Sequence, residues 1–257
     1  MQTDYSEVSE ANGQEATHEQ IQRLFNRYSW VASYCHDKDI VEVACGTGFG
    51  LGLIQKTARS LVAGDISPKL VQRAKEIYGN SIQIQVLDAQ NLPFENASKD
   101  IIAICEAIYY IPSIPKFLGE AKRILRKGGF LLIVTANKDL YDFNPSQLSL
   151  SYLGVRELSQ VLNEHGFEAE FFGDSPVNEA SIWQKVLRPA KKLAVMFNLI
   201  PKSMVGKRAL KRIVFGKLEI LPQRLDSVEF QAAPPSPLTS ELPDRSHKVL
   251  FCAAQKL

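Results

Sequence analysis

Between Asp39 and Gly50 the chain reads DIVEVACGTGFG, a run of β-branched residues that leads into a glycine-rich turn. A short, mostly apolar run that ends at such a turn is typical of a strand buried on both faces. Glycines at the end of such a strand let the backbone approach a ligand closely, and the amide groups of the following helix then face it. This segment predicts a strand, a ligand-binding turn and the start of a helix.

The rest of the chain repeats this alternation. Apolar runs predict strands at residues 40–45, 60–65, 82–87, 100–105, 129–135, 167–172 and 248–254. Helical spacing predicts helices at residues 21–34, 51–57, 68–78, 115–125 and 155–165. Strands that alternate with helices form a parallel sheet through right-handed crossovers. The expected fold is α/β, a doubly wound and mostly parallel sheet of seven strands.

Three regions fall outside the alternation. The first 20 residues are polar, and we expect a flexible flap there, followed by one domain over residues 21–257. Residues 176–225 carry apolar stripes at helical spacing and predict a helical insertion before the last strand. The Pro-rich residues 232–243 predict an irregular connector without helix or strand.

The charge of the insertion is one-sided. Residues 181–218 contain ten Lys or Arg and no acid. One interpretation is a pair of lid helices with a solvated basic face. The other is a surface for an anion, either an anionic or amphiphilic substrate or the acidic surface of a membrane.

Composition excludes several classes of protein. With 45% apolar and 23% charged residues among 257, the chain is neither collagen-like nor disordered. Its apolar runs are shorter than the ~18 residues of a membrane-spanning helix, and its polar start does not resemble a secretory signal. The scattered cysteines and histidines lack the spacing of a metal site. We expect a cytoplasmic protein with buried thiols, no metal and, at a net charge of +2, no nucleic-acid partner.

The spacing of the glycines excludes two common cofactors. A dinucleotide fingerprint needs glycine at relative positions one, three and six, but the sixth position is Leu51 when counted from Gly46 and Leu53 when counted from Gly48. A phosphate-binding loop needs lysine directly after the turn, and the first lysine after Gly48 is Lys56. The turn therefore predicts neither NAD nor a nucleoside triphosphate.

Two later strands end in the carboxylates Asp65 and Asp88. In a doubly wound sheet ligands bind outside the carboxyl ends of the strands, so these residues and the glycine turn converge on one crevice. A carboxylate at Asp65 suits the two hydroxyls of an unphosphorylated ribose, and Asp88 suits the exocyclic amine of a base.

With these motifs in this order, residues 20–173 and the last strand resemble the class I S-adenosylmethionine-dependent methyltransferases, which have a Rossmann-like fold. The family's acidic residue and glycine motif match Glu42, Ala44, Gly46 and Gly48, and the methyl group of Ala44 at the first glycine is expected to cost only some room. The resemblance implies S-adenosyl-L-methionine as the cofactor. Beyond the motif it implies five contacts: Asp65 at the ribose, Ile66 against the adenine, Asp88 at the adenine amino group, Ala89 through its backbone amide, and Cys105.

The methyl acceptor is expected beside the residues that follow the strand 100–105. Glu106 is the only acid there and is predicted to be the base, while Tyr109 and Tyr110 would orient an oxygen or exclude water. We expect methylation of a small molecule at a hydroxyl. N-methylation, aminopropyl transfer and a non-catalytic membrane-docking module are alternatives, and core aromatics beside a helix-start acid would explain the three residues without chemistry.

Overall fold

The computed structural model describes residues 14–177 and 218–257. Its strands are β1 (Glu15–Ala16), β2 (Asp39–Val43), β3 (Ser60–Asp65), β4 (Gln83–Val86), β5 (Lys99–Cys105), β6 (Leu125–Ala136), β7 (Phe167–Pro176), β8 (Glu219–Ile220), β9 (Ser236–Leu238) and β10 (His247–Lys256). Its helices are α1 (His18–Tyr34), α2 (Leu51–Gln55), α3 (Pro68–Tyr78), α4 (Ile114–Ile124) and α5 (Val155–Glu164). Most of the predicted insertion and of the predicted flap lies outside the described residues. None of the helices in the described ranges is long and apolar enough to cross a membrane.

One sheet organises the described residues, with the strand order β4-β3-β2-β5-β6-β10-β7-β9. The neighbours from β4 to β6 are parallel, whereas β10 runs antiparallel between β6 and β7. This order confirms the predicted α/β class and the doubly wound, mostly parallel sheet. The chain passes from β2 to β3 and β4 on one side and then returns to β5 on the other side of β2. The carboxyl ends of β2 and β5 therefore flank the switch point where such sheets bind ligands.

The predicted count of seven strands is one short for this sheet. Ser236–Leu238 pairs antiparallel with β7 as an eighth strand at the edge, so the prediction that residues 232–243 contain no strand is wrong. An edge strand has one row of backbone groups without a partner strand, and Pro237 is tolerated there although it lacks an N–H.

Helices cover both faces of the sheet. On one face α4 and α5 contribute fully buried side chains such as Phe117 and Leu158. On the other face α1 packs with Trp30 and Val31 against the outer residues of β10 and β6. The central strands are therefore buried on both sides, which is why they read as continuous apolar runs. All four cysteines are buried free thiols, as predicted.

Helix α1 begins at His18, three residues before its predicted start. Thr17 and Gln20 form a capping box, in which the Thr17 hydroxyl accepts from the Gln20 amide at 3.2 Å. A reciprocal cap satisfies two amide groups that the first turn leaves without partners. Just before it, β1 pairs with β8, so part of the segment predicted as a flap has regular structure.

Candidate active site

The turn after β2 passes through left-handed conformations at Ala44, Gly46 and Gly48, with φ of 54°, 58° and 82°. A Cβ built on Gly46 would meet no atom within 4 Å, so this part of the backbone borders open space. Ala44 corrects an expectation. Its side chain was expected to cost only room, but the left-handed region itself costs an L-residue roughly 1–2 kcal/mol.

Gly48 packs against helices α2 and α3 and does not line the cavity. Its carbonyl accepts a hydrogen bond from the Tyr78 hydroxyl at 2.8 Å. A Cβ at Gly48 would come within 2.9 Å of the Leu51 side chain and 3.2 Å of the Tyr78 ring. Glycine at this position therefore permits close packing of the turn against α3.

Glu42, the acidic residue of the motif, is fully buried beneath the turn. Its Oε1 accepts a hydrogen bond from the Tyr28 hydroxyl of α1 at 2.9 Å, and its Oε2 has no hydrogen-bond partner among the described residues. Burial raises the pKa of Glu42 to about 8, although the hydrogen bond from Tyr28 and the charge of Arg27 oppose that rise. The carboxyl is therefore mainly protonated and uncharged at neutral pH, which lowers the cost of burying it.

A cavity of about 390 Å³ lies at the carboxyl ends of the central strands. This volume falls within the ~300–1,000 Å³ range of small-molecule sites. Ten of the twelve predicted site residues line it: Ala44, Gly46, Asp65, Ile66, Asp88, Ala89, Cys105, Glu106, Tyr109 and Tyr110. The other two, Glu42 and Gly48, support the turn from outside the cavity wall.

The cavity has two halves, which we name by their construction. The glycine-turn half consists of residues at or just after the ends of β2, β3 and β4: Ala44, Gly46, Asp65, Ile66, Asp88 and Ala89. The α1 half consists of residues from α1, from the segment after β5, from the loop after β6 and from the start of β10: Arg23, Arg27, Glu106, Tyr109, Tyr110, Ser146 and Lys248.

Backbone amides hold both carboxylates of the glycine-turn half. Asp65 accepts from Gly46 at 3.0 Å and from Ser67 at 2.9 Å. Burial raises the pKa of Asp65, while hydrogen bonds from backbone amides, first that of Ser67, lower it. Asp88 accepts from the amide of Gln90 at 2.9 Å. Since an ionised carboxylate has about four acceptor positions, each side chain retains capacity for a ligand.

Glu106 lies at the centre of the α1 half in a strained backbone conformation. Its φ is 51°, and its amide donates to the Val134 carbonyl at 2.7 Å. The Tyr109 hydroxyl donates to Glu106 Oε2 at 3.0 Å, and the Arg27 guanidinium lies 3.4 Å from Oε1. Burial, and then the charge of Glu106, raise the pKa of Tyr109 well above its ordinary value, so this phenol stays protonated. Strain of this kind is common where the surrounding structure fixes a functional side chain.

The loop after β6 fixes the two tyrosines. The Tyr109 ring stacks on the Tyr152 ring, with centroids 4.2 Å apart. The backbone carbonyl of Tyr109 accepts a hydrogen bond from the Leu150 amide at 2.8 Å. The Tyr110 hydroxyl lies 2.5 Å from that of Ser146. Both rings are thus held in place at the cavity wall.

The contribution of α1 was missed by the sequence analysis. Arg27 comes three residues after Leu24 and four before Val31, so it lies on the predicted apolar stripe of this helix. Its side chain is only 9% exposed. Because a buried arginine needs a partner, its place within an apolar stripe was a usable signal. Lys248 was missed too, since only an antiparallel strand brings its amino end to this edge of the sheet.

Known proteins are similar to this chain in sequence. The methyltransferase-domain family matches residues 41–133. A phthiotriol/phenolphthiotriol dimycocerosates methyltransferase of Mycobacterium leprae is 35% identical over 46% of this chain and 45% of its own length. A ubiquinone/menaquinone biosynthesis C-methyltransferase of Campylobacter jejuni is 34% identical over 51% of this chain and 71% of its own length. The chain belongs to the S-adenosylmethionine-dependent methyltransferases.

Two further comparisons concern the length and the fold of the chain. It spans about half the length of the first curated relatives it matches, between 52% and 57%. The crystal structure of the YcgJ protein from Bacillus subtilis has the same fold, with a TM-score of 0.54, 15% identity, and coverage of 93% of this chain and 99% of that one. The glycine-turn half fits the cofactor of the family, because an exposed turn backbone and two carboxylates with remaining acceptor capacity border the same cavity.

Proposed function

We propose that this protein transfers the methyl group of S-adenosyl-L-methionine to a hydroxyl oxygen of a small molecule. The observation that carries the proposal is the continuity of the cavity, in which Asp65 and Asp88 share one space with the hydrogen-bonded pair Glu106 and Tyr109. When bound, the cofactor supplies an electrophilic methyl group on a positively charged sulfur. The protein has to hold that group in line with the acceptor and exclude water.

The glycine-turn half would hold the cofactor. Asp65 is placed to accept from the ribose hydroxyls, and its bond from the Gly46 amide joins this carboxylate to the turn. Ile66 would offer an apolar surface to the adenine, Asp88 would accept from the adenine amino group, and the Ala89 amide would donate to the ring. Ala44, Gly46 and Cys105 also line the cavity and would contact the cofactor.

The α1 half would activate the acceptor. Glu106 is the acid within reach of a hydroxyl in this half, and a base that removes the proton as the methyl group arrives contributes about 10²- to 10⁴-fold. Tyr109 and Arg27 each contact one oxygen of Glu106, so they fix its orientation. Arg27 also offsets the negative charge of Glu106. That matters because an unbalanced carboxylate beside the sulfur would stabilise the charged ground state more than the transition state.

The experiment that tests the proposal compares acceptors that differ in one atom. The protein is incubated with S-adenosylmethionine carrying an isotopically labelled methyl group and with phenols and anilines of the same ring substitution. The label is expected on the phenol oxygen. Label on nitrogen or on ring carbon would contradict O-methylation, and a product formed from decarboxylated S-adenosylmethionine would favour aminopropyl transfer.

A further inference from the structure

Three cations border the α1 half of the cavity. Arg23 and Arg27 lie one helical turn apart on α1, and Lys248 lies at the start of β10. Arg27 faces Glu106 at 3.4 Å. The Arg23 guanidinium lies 4.0 Å from Oε1 of Glu19, and the Lys248 ammonium contacts the same oxygen atom. Glu19 thus faces two cations with one negative charge, and the Arg23, Lys248 and Glu19 group carries one positive charge in excess.

The order of strands places this positive group far from Asp65 and Asp88, the carboxylates of the glycine-turn half. Along the edge of the sheet the cavity meets Asp88 after β4, Asp65 at β3, the glycine turn at β2, Glu106 at β5 and Lys248 at β10. Neighbouring strands lie about 4.8 Å apart. Lys248 is therefore two strands beyond Glu106, roughly 10 Å away, and on the side opposite to Asp65.

Access and surroundings favour binding of an anion. The side chains of Arg23 and Lys248 are 27% and 26% exposed, so both can reach a ligand while part of each is shielded from water. Shielding strengthens a charge-assisted hydrogen bond relative to one on an open surface. The Lys248 backbone is fixed as well, because its carbonyl accepts from the Asn137 amide at 3.1 Å.

We propose that Arg23 and Lys248 bind a carboxylate of the methyl acceptor. This inference rests on the proposed function, and it names the substrate class as a small hydroxylated carboxylic acid. The hydroxyl would lie at Glu106 and the carboxylate at the Arg23 and Lys248 pair. Two anchors at a fixed separation would hold the acceptor oxygen in line with the transferred methyl group, as an oriented reaction requires.

The test uses the protein saturated with S-adenosylhomocysteine and two probes of the same shape. These are trans-4-hydroxycinnamate and its uncharged amide, titrated by calorimetry at low salt. We expect the acid to bind at least about 10-fold more tightly than the amide, with a preference that weakens as salt is added. Arg23→Gln and Lys248→Gln should each remove most of the preference. Lys127 lies at the amino end of β6, away from the cavity, so Lys127→Gln is the matched control and should keep the preference for the acid.

Several results would overturn the inference. One is equal or absent binding of the two probes to the wild-type complex, and another is a preference that survives in both variants. If the variants weaken S-adenosylhomocysteine and leave the preference intact, the cations serve the cofactor carboxylate instead. Failure of S-adenosylhomocysteine to bind the wild-type protein would contradict the proposed function itself, whereas loss of the acid preference alone contradicts only this inference.

Discussion

The glycine-turn half and the α1 half of the cavity are held together over very different distances in sequence. In the former, Asp65 is fixed by the amide of Ser67 and Asp88 by that of Gln90, each two residues away. In the latter, Arg27 contacts Glu106 across 79 positions, and Lys248 contacts Glu19 across 229. The residues of the first half lie within one continuous segment, 44–89, whereas those of the second come from α1, β10 and the segments after β5 and β6. The two halves should respond differently to substitution.

The largest effect is expected at Glu106. Glu106→Gln keeps the shape of the side chain and removes its basicity, so kcat for a hydroxylated acceptor should fall about 10²- to 10⁴-fold. The dissociation constant of S-adenosylhomocysteine should stay unchanged, because the variant leaves the glycine-turn half intact. Stopped-assay kinetics and calorimetry on one preparation measure both. Unchanged turnover, or a fall explained by loss of the folded state in thermal denaturation, would place the base elsewhere.

The reverse pattern is expected at Asp65. Asp65→Asn removes a charged acceptor of ribose hydrogen bonds, a loss of roughly 1.5–3 kcal/mol, or about 10- to 150-fold in the dissociation constant of S-adenosylhomocysteine. Asp37→Asn, in the exposed loop before β2, is the matched control and should bind as the wild type does. Equal affinities for the two variants would remove Asp65 from the cofactor site.

Glu42 lies beneath both halves, and its effect should depend on pH. The folded state keeps this carboxyl protonated up to a pKa of about 8, whereas the ordinary value in an unfolded chain is 4.5. The stability contributed by this proton is therefore present at pH 4 and is lost as the pH rises through 8.

Relative to the wild type, Glu42→Gln should gain on the order of 1 kcal/mol in free energy of unfolding for each pH unit between pH 5 and pH 8. Urea unfolding at several pH values measures the difference between the two proteins. A difference that does not change with pH would show that Glu42 is ionised in the folded protein.

The smallest effect is expected at Ala44. Glycine removes the left-handed strain of about 1–2 kcal/mol but increases the entropy of the unfolded chain by ~0.4–1 kcal/mol. Ala44→Gly should therefore gain up to about 1.5 kcal/mol in free energy of unfolding, measured with urea. Ala97→Gly replaces a residue with φ of 49° that does not line the cavity, and it should give a similar gain. A destabilised Ala44→Gly would show that the methyl group contributes packing that outweighs the strain.

Much of the fold could be predicted from the sequence, because buried parallel strands have a simple pattern. The bounds of β3 and α3 match their predictions, since Asp65 closes one segment and Pro68 opens the next. The edge strand β9 could not be predicted in the same way. Its three residues carry no apolar alternation, and it forms because β7 offers it an open edge.

The candidate site likewise contains residues that could be predicted from the sequence and residues that could not. Residues at strand ends were predictable, because the carboxyl ends of parallel strands all lie at one edge of the sheet. The sequence marks Arg27 as a buried arginine that needs a partner, but it does not show that the partner is Glu106, because that depends on how α1 packs. The place of Lys248 depends on the antiparallel direction of β10. The cavity wall formed by distant segments is where sequence reasoning has the least information.

Titration of the wild-type protein with S-adenosylmethionine and, separately, with NAD most directly tests whether the glycine-turn half is a cofactor site. The left-handed turn and the carboxylates Asp65 and Asp88 predict saturable binding of S-adenosylmethionine with one site per chain. They predict no measurable heat from NAD under the same conditions. Saturable binding of NAD, with no heat from S-adenosylmethionine, would contradict this assignment of the cavity.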